Sequence, residues 1–155
     1  MQGGSLMPVV VVNAESVAKG LSGLMPNVQK KIIRTALRAS MKPTRTAIIA
    51  NTPRGKTGAL KKAVVIRAGK RSKYRISFTA GYSNWALGKE SNLTGLPLWL
   101  EDGTKPRMTK AGRKTGSIKA VKMVARAFAS TQKTSADIAL SMIVQGIQTE
   151  ARRIK

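Results

Sequence analysis

The sequence predicts an α+β fold: a long kinked N-terminal helix, a small antiparallel sheet with a hairpin, and a C-terminal helix packed on the sheet. Three observations carry that prediction. Between Pro26 and Ala50, apolar and small residues recur at helical spacing. From Leu60 to Tyr82 the period changes to two on either side of the link GKRSK, the pattern of a hairpin. Beyond Thr134 the helical period returns at Leu140, Ile143, Ile147, Ala151 and Ile154.

The 155 residues suit one domain, 1–155, with a basic loop at 104–119. Apolar content of 42% fits a folded chain, but aromatics at 4% leave the core to Val, Ile, Leu, Met and Ala. No apolar run approaches the ~20 residues of a membrane span, so no membrane partner is expected. The first residues, MQGGSLMPVVVV, lack the basic start of a secretory signal. Charge is the outlier. Twenty-nine Lys and Arg face six acids, a net +23 that strains a free monomer by self-repulsion. A polyanion, or an acidic partner surface, relieves it, and nucleic acid is the first candidate.

Taken in order, Pro8 to Val12 is a β-branched run that reads as an edge strand. Asn13 is placed to cap a helix from Ala14, with Glu15 in its first turn. Val17, Leu21 and Leu24 give this helix one apolar stripe, and Gly20 and Gly23 keep it short. Pro26 suits the first turn of the long helix. Its apolar face is Val28, Ile32, Ile33, Ala36, Leu37, Ser40, Met41, Ala47 and Ile48. The opposite side carries Lys31, Arg34, Arg38, Lys42 and Arg45 at spacings of three and four, one cationic stripe without a single acid. Pro43 should kink or split this helix.

Asn51 to Leu60, reading NTPRGKTGAL, is the stop. Pro53 ends the helix, Gly58 is expected to take positive φ, and Thr57 to anchor the turn by its hydroxyl. Arg54 and Lys56 make an exposed basic corner. Leu60 to Ala68 and Tyr74 to Tyr82 follow as strands, with Lys70, Arg71 and Lys73 at the hairpin tip. Ser83 to Gly95 is a loop. Leu96 to Leu100 reads as a third extended run, at an edge because of Pro97.

Thr104 to Lys119 carries Lys105, Arg107, Lys110, Arg113, Lys114 and Lys119 with no acid, and is expected to be exposed and mobile. Ala120 to Ser130 reads as a short helix or turn packed through Met123, Val124, Ala127 and Phe128. Thr134 or Ser135 then caps the last helix, with Asp137 in its first turn.

Several chemistries are excluded. Without Cys or His there is no disulfide, thiolate metal site or imidazole base. Glu101 and Asp102, adjacent on an extended run, would point to opposite faces and make a poor carboxylate dyad. GKTG at Gly55 to Gly58 is not a phosphate loop: residue 50 is Ala, and the helix precedes the strand. No catalysis, metal or cofactor is expected. The few Trp and Tyr residues lie on strand faces rather than a stacking platform, so any contact with double-stranded DNA would be a non-specific one to its backbone.

The order of signals resembles the tail-completion, or head–tail joining, family of long-tailed bacteriophages. Pro53-Arg54-Gly55-Lys56-Thr57-Gly58-Ala59-Leu60 is similar to its P-x-x-T-G-x-L turn, one residue longer. Leu98-Trp99-Leu100-Glu101-Asp102-Gly103-Thr104 resembles the second half of its Y-x-x-x-x-E-x-G-T segment. Met123 to Phe128 stands where the family has P-F-L-x-P-A, with both prolines absent. The resemblance implies a virion structural protein of the neck, assembled in the host cytoplasm, and not an enzyme. It implies a homo-oligomeric ring, six-fold by expectation, at the head-proximal end of the tail around the DNA passage. Its partners would be other neck and tail proteins: head closure, tail terminator or tail tube. The competing reading is a sequence-independent nucleic-acid-binding protein associated with the nucleoid or ribosome. In either case Lys31, Arg34, Arg38, Lys42, Arg54, Lys56, Lys70, Arg71, Lys73, Lys105, Arg107, Lys110, Arg113, Lys114 and Lys119 are the candidates to face DNA or partners.

Overall fold

The computed structural model describes residues 14–55, 57–70, 72, 75–83, 95–106, 108–110 and 112–153. In chain order these form α1 (Ala14–Ser22), α2 (Pro26–Asn51), α3 (Ala59–Lys62), β1 (Val64–Ala68), β2 (Phe78–Tyr82), α4 (Leu96–Asp102) and α5 (Met123–Arg153). The α+β class holds, with long helices and a two-stranded antiparallel sheet. The expected strand at Pro8–Val12 and its following cap Asn13 lie outside the described residues.

α2 and α5 are the frame. At 1.5 Å per residue they are about 39 and 46 Å long. They run antiparallel: Ile32 meets Gly146, Thr44 bonds Thr131 and Ser135, and the Asn51 amide donates to the Met123 carbonyl. A Cβ at Gly146 would stand 2.7 Å from Ile32 Cγ2, so this crossing requires glycine. The face α2 buries is one residue per turn: Ile32, Ala36, Ser40, Thr44 and Ile48. α2 passes through Pro43 as one helix and is not split. α1 packs on the far end of α5, with Gly20 against Ile147.

The stop at Asn51–Leu60 forms as expected. Thr52, before Pro53, is extended, and both its N–H and its hydroxyl donate to the Ile48 carbonyl at 2.9 and 2.5 Å. Gly58 has φ +64°, the left-handed conformation, and the Ala59 N–H donates to Thr57 Oγ1 at 3.4 Å. The chain then makes one helical turn, α3, before the sheet. Leu60 therefore belongs to that turn rather than to a strand, and is buried with Ala63.

β1 and β2 pair from Val64↔Tyr82 to Ala68↔Phe78. The second strand begins at Phe78, later than the expected Tyr74, which lies outside the described residues. One sheet face rests on α2 and the first turns of α5, in a cluster of Ile48, Val64 and Ala127 with Ala80, Tyr82 and Val124 around it.

Three expectations are corrected. Leu96–Asp102 is a helix, not an extended run; Pro97 sits in its first turn, where a missing N–H costs nothing. Glu101 and Asp102 therefore lie at a helix end. α5 is continuous from Met123, so Ala120–Ser130 is no separate short helix and neither Thr134 nor Ser135 is a cap. Ser135 is buried, and its hydroxyl lies 3.2 Å from that of Thr44. Of the expected packing residues, Phe128 and Leu140 are exposed, at 55% and 39%, and Ala151 is exposed as well.

Candidate partner and nucleic-acid surface

The hairpin's hydrogen-bond pattern decides what its two borders offer. Ser83 donates to the Ala63 carbonyl and Gly69 to the Ser77 carbonyl, at 2.9 and 2.8 Å. Narrow pairs alternate in an antiparallel ladder, so Val65 and Arg67 bond β2 while Val64, Ile66 and Ala68 turn their N–H and C=O outward. By the same count Phe78, Ala80 and Tyr82 turn theirs outward on β2. Both strands are edges among the described residues.

The border of β1 is cationic. Lys31, Arg34, Arg38, Lys42 and Arg45 are all exposed on α2, as their spacing predicts. Arg38, Lys42 and Arg45 line a shallow groove with Thr46, Val65 and Ile66. Arg45 Nε donates to the outward Val64 carbonyl at 2.9 Å, which blocks that end of the edge. Further along, Arg34 meets Lys70 and Arg75 around a hollow floored by Ala68 and Phe78. The helix stripe and the hairpin tip thus form one basic face. Arg75 is a member that the strand pattern hid, since it falls before β2 begins.

The border of β2 is apolar. Met41, Phe78, Ala80, Val124 and Phe128 line an open groove of about 490 Å³ between β2 and the first turns of α5. Glu101 lies in the same groove. Its carboxylate accepts from the Val124 and Ala125 N–H groups at 2.9 and 3.0 Å, so α4 caps α5. At the root of the hairpin the Tyr82 hydroxyl lies 2.6 Å from Thr52 Oγ1 and 3.4 Å from the Met123 sulfur, and its one proton serves one of them at a time. Burial pushes its phenol above the usual 10.0; the Thr52 hydrogen bond pulls it down and the nearby Glu101 charge adds to the rise.

The loop at 104–119 is better tied than its composition predicts. Its base closes through the Thr104 N–H to the Ile118 carbonyl, and the Ile118 N–H to Thr104 Oγ1, both 2.9 Å. Nearer the tip Met108 pairs with Lys114, and the Thr109 N–H bonds the Arg113 carbonyl. Lys105, Lys110, Arg113, Lys114 and Lys119 are exposed along this arm, and Arg54 is exposed at the helix stop. Lys56, Arg71, Lys73 and Arg107 lie outside the described residues. Among the described residues, no cluster of three or more acids could hold a metal, and no helix is long and apolar enough to cross a membrane.

Residues 15–87 match the family model described as "Bacteriophage HK97-gp10, putative tail-component". That segment is similar to a family of phage tail components. It runs from α1 through β2, so the tail-component segment contains the whole basic face and the strand of the apolar groove. No curated protein and no solved structure matches the chain.

Proposed function

We propose that this tail component is a structural subunit of the phage neck. It forms a ring at the head-proximal end of the tail, joins tail to head and surrounds the DNA passage. The observation that carries the reading is the basic face along β1, set in the tail-component segment and lacking any acid on α2. A bore that DNA slides through needs diffuse positive charge and no base readout, because specific contacts would hold the DNA in place. Exposed Lys and Arg on a helix face and a hairpin tip supply that.

The thin core supports assembly. Among the described residues nine apolar side chains are buried, three of them Ala, while Met25, Leu98, Trp99, Met108, Phe128 and Leu140 are exposed. A subunit built this way is completed by neighbours. The role is structural, not catalytic.

The test pairs native mass spectrometry with a phage lacking the gene. A closed ring, together with heads and tails that fail to join, is the expected result. A stable monomer under all conditions, with normal tails in its absence, overturns the reading. Tight, salt-sensitive DNA binding by a monomer or dimer would favour a sequence-independent nucleic-acid-binding protein instead.

A further inference from the structure

We propose that the hollow where Arg34 of α2 meets the hairpin tip binds one phosphate group, supplied by the backbone of DNA. The proposal rests on the reading that the basic face meets DNA, and it names the point at which a strand is gripped.

Arg34, Lys70 and Arg75 converge on a hollow of about 200 Å³ floored by Ala68 and Phe78, and no acid lines it. Among the described residues none of these three cations has an ion pair or a side-chain hydrogen bond. Two cations nearby are already committed: Arg45 donates to the Val64 carbonyl and Arg67 to the Ser83 hydroxyl. Three uncompensated charges around one concavity repel each other, and an anion set among them removes that repulsion. The apolar floor sharpens the effect, because a cleft of one sign with low-dielectric walls focuses its field on the ion inside. A neutral donor stands on the same wall. A Cβ at Gly69 would collide with Ser77 Oγ, so glycine leaves that hydroxyl its place in the lining.

Size and charge select the ligand. The volume lies below the roughly 300–1,000 Å³ of sites for whole small molecules, so the hollow suits a single anionic group. Two guanidinium forks and an ammonium match the several oxygens of a phosphate better than the two of a carboxylate. The surroundings select the source. Arg38 and Lys42 follow Arg34 along α2 at about 6 and 12 Å and line the adjoining groove. A DNA strand carries a phosphate every ~3.4 Å of helix axis, so one laid along α2 meets the hollow and the groove in turn. A free phosphate would use the hollow alone. Every nucleotide presents the same group, so this grip is blind to sequence and passes from one phosphate to the next as DNA moves.

One phosphate held by several cations has a signature that diffuse charge lacks. Fluorescence anisotropy of the full-length protein on a short duplex of arbitrary sequence, over a range of salt, reads it. Arg34→Gln with Arg75→Gln should lower the slope of log affinity against log salt by about 1, the loss of one phosphate, and affinity at low salt at least tenfold. Helical content by circular dichroism should not change, since both side chains are exposed. Lys133→Gln with Arg152→Gln removes the same charge from exposed positions outside the hollow and should change affinity less than threefold. A fall of about 2 in the first pair means two separate phosphates. That result overturns the single site and leaves the basic face on DNA, as do equal effects of the two pairs. Inorganic phosphate and poly-glutamate, added at constant ionic strength, separate the sources. Neither should displace the duplex at micromolar concentration. Displacement by micromolar phosphate assigns the hollow to the free ion, and displacement by micromolar poly-glutamate assigns it to an acidic protein; either overturns the DNA source. A wild type that binds no duplex at low salt overturns both the site and the DNA-facing reading.

Discussion

The hairpin has two borders built from the same backbone pattern and dressed in opposite chemistry. Along β1, α2 supplies Arg38, Lys42 and Arg45, and one guanidinium occupies the outward carbonyl of Val64. Along β2, α2 supplies Met41 and α5 supplies Val124 and Phe128, with no cation in the groove lining. The helix that crosses beneath the sheet is amphipathic in two senses: apolar inward, and cationic on only one of its flanks. An open strand edge is an invitation to pair, and cations at an edge refuse it. One border thus favours a polyanion and the other an apolar partner, an asymmetry that the proposed ring would use.

The sharpest way to break the comparison is to charge the apolar border. Phe128→Glu should weaken self-assembly about 100-fold, the loss of one buried aromatic anchor. Arg38→Glu, on the other border, should change it less than threefold by the same mass-photometry titration. Equal effects would mean that the borders are not distinct. The reverse comparison uses DNA. Arg38→Glu with Lys42→Glu should lower the slope of log affinity against log salt by about 2, and affinity at low salt about 10- to 100-fold. Fluorescence anisotropy on a short duplex of arbitrary sequence measures it, and Phe128→Glu should leave the slope unchanged.

A smaller effect concerns Glu101, the anion within the apolar groove. Glu101→Gln keeps the shape but removes the charge that faces two N–H groups at the start of α5. The expected cost is about 1 kcal/mol, or roughly 2–4 °C in thermal midpoint. A change below 1 °C by calorimetry would show that water caps the helix as well as the carboxylate does.

The cationic border was legible in the sequence because it is periodic: Lys31, Arg34, Arg38, Lys42 and Arg45 share a face wherever a helix forms. Gly58 was legible because a glycine after a proline stop has few other uses. The apolar border was not. It is assembled from Met41, Phe78 and Phe128, residues far apart in the chain and each consistent with an ordinary core position. LPLWL was misread because five apolar residues and a proline suit a strand start and a helix start equally. Ser135 resembled a cap because Ser followed by Asp marks helix starts. Inside α5 its hydroxyl instead meets Thr44 across the helix pair, a partner 91 residues away. Glu101 capping Val124 is non-local in the same way, so no spacing rule would find it.

The last comparison lies where the two borders meet, at Tyr82. Its hydroxyl lies against Thr52 at the end of α2 and Met123 at the start of α5, so it ties the hairpin to both helices. Tyr82→Phe should cost about 1 kcal/mol at neutral pH, because Thr52 keeps its bond to the Ile48 carbonyl and is not left unpaired. The pH dependence carries more information. Burial raises the folded phenol above 10.0, so the unfolded chain ionises first. The stability Tyr82 contributes is therefore complete below pH 10 and is lost as pH rises from there through the folded value. The quantity to follow is the difference between wild type and Tyr82→Phe in urea unfolding from about pH 9 to about pH 11, which isolates this one hydroxyl. That difference should shrink with pH. A constant difference would mean the phenol is as solvated in the fold as in the open chain, and that the root of the hairpin is looser than the packing of Thr52, Tyr82 and Met123 implies.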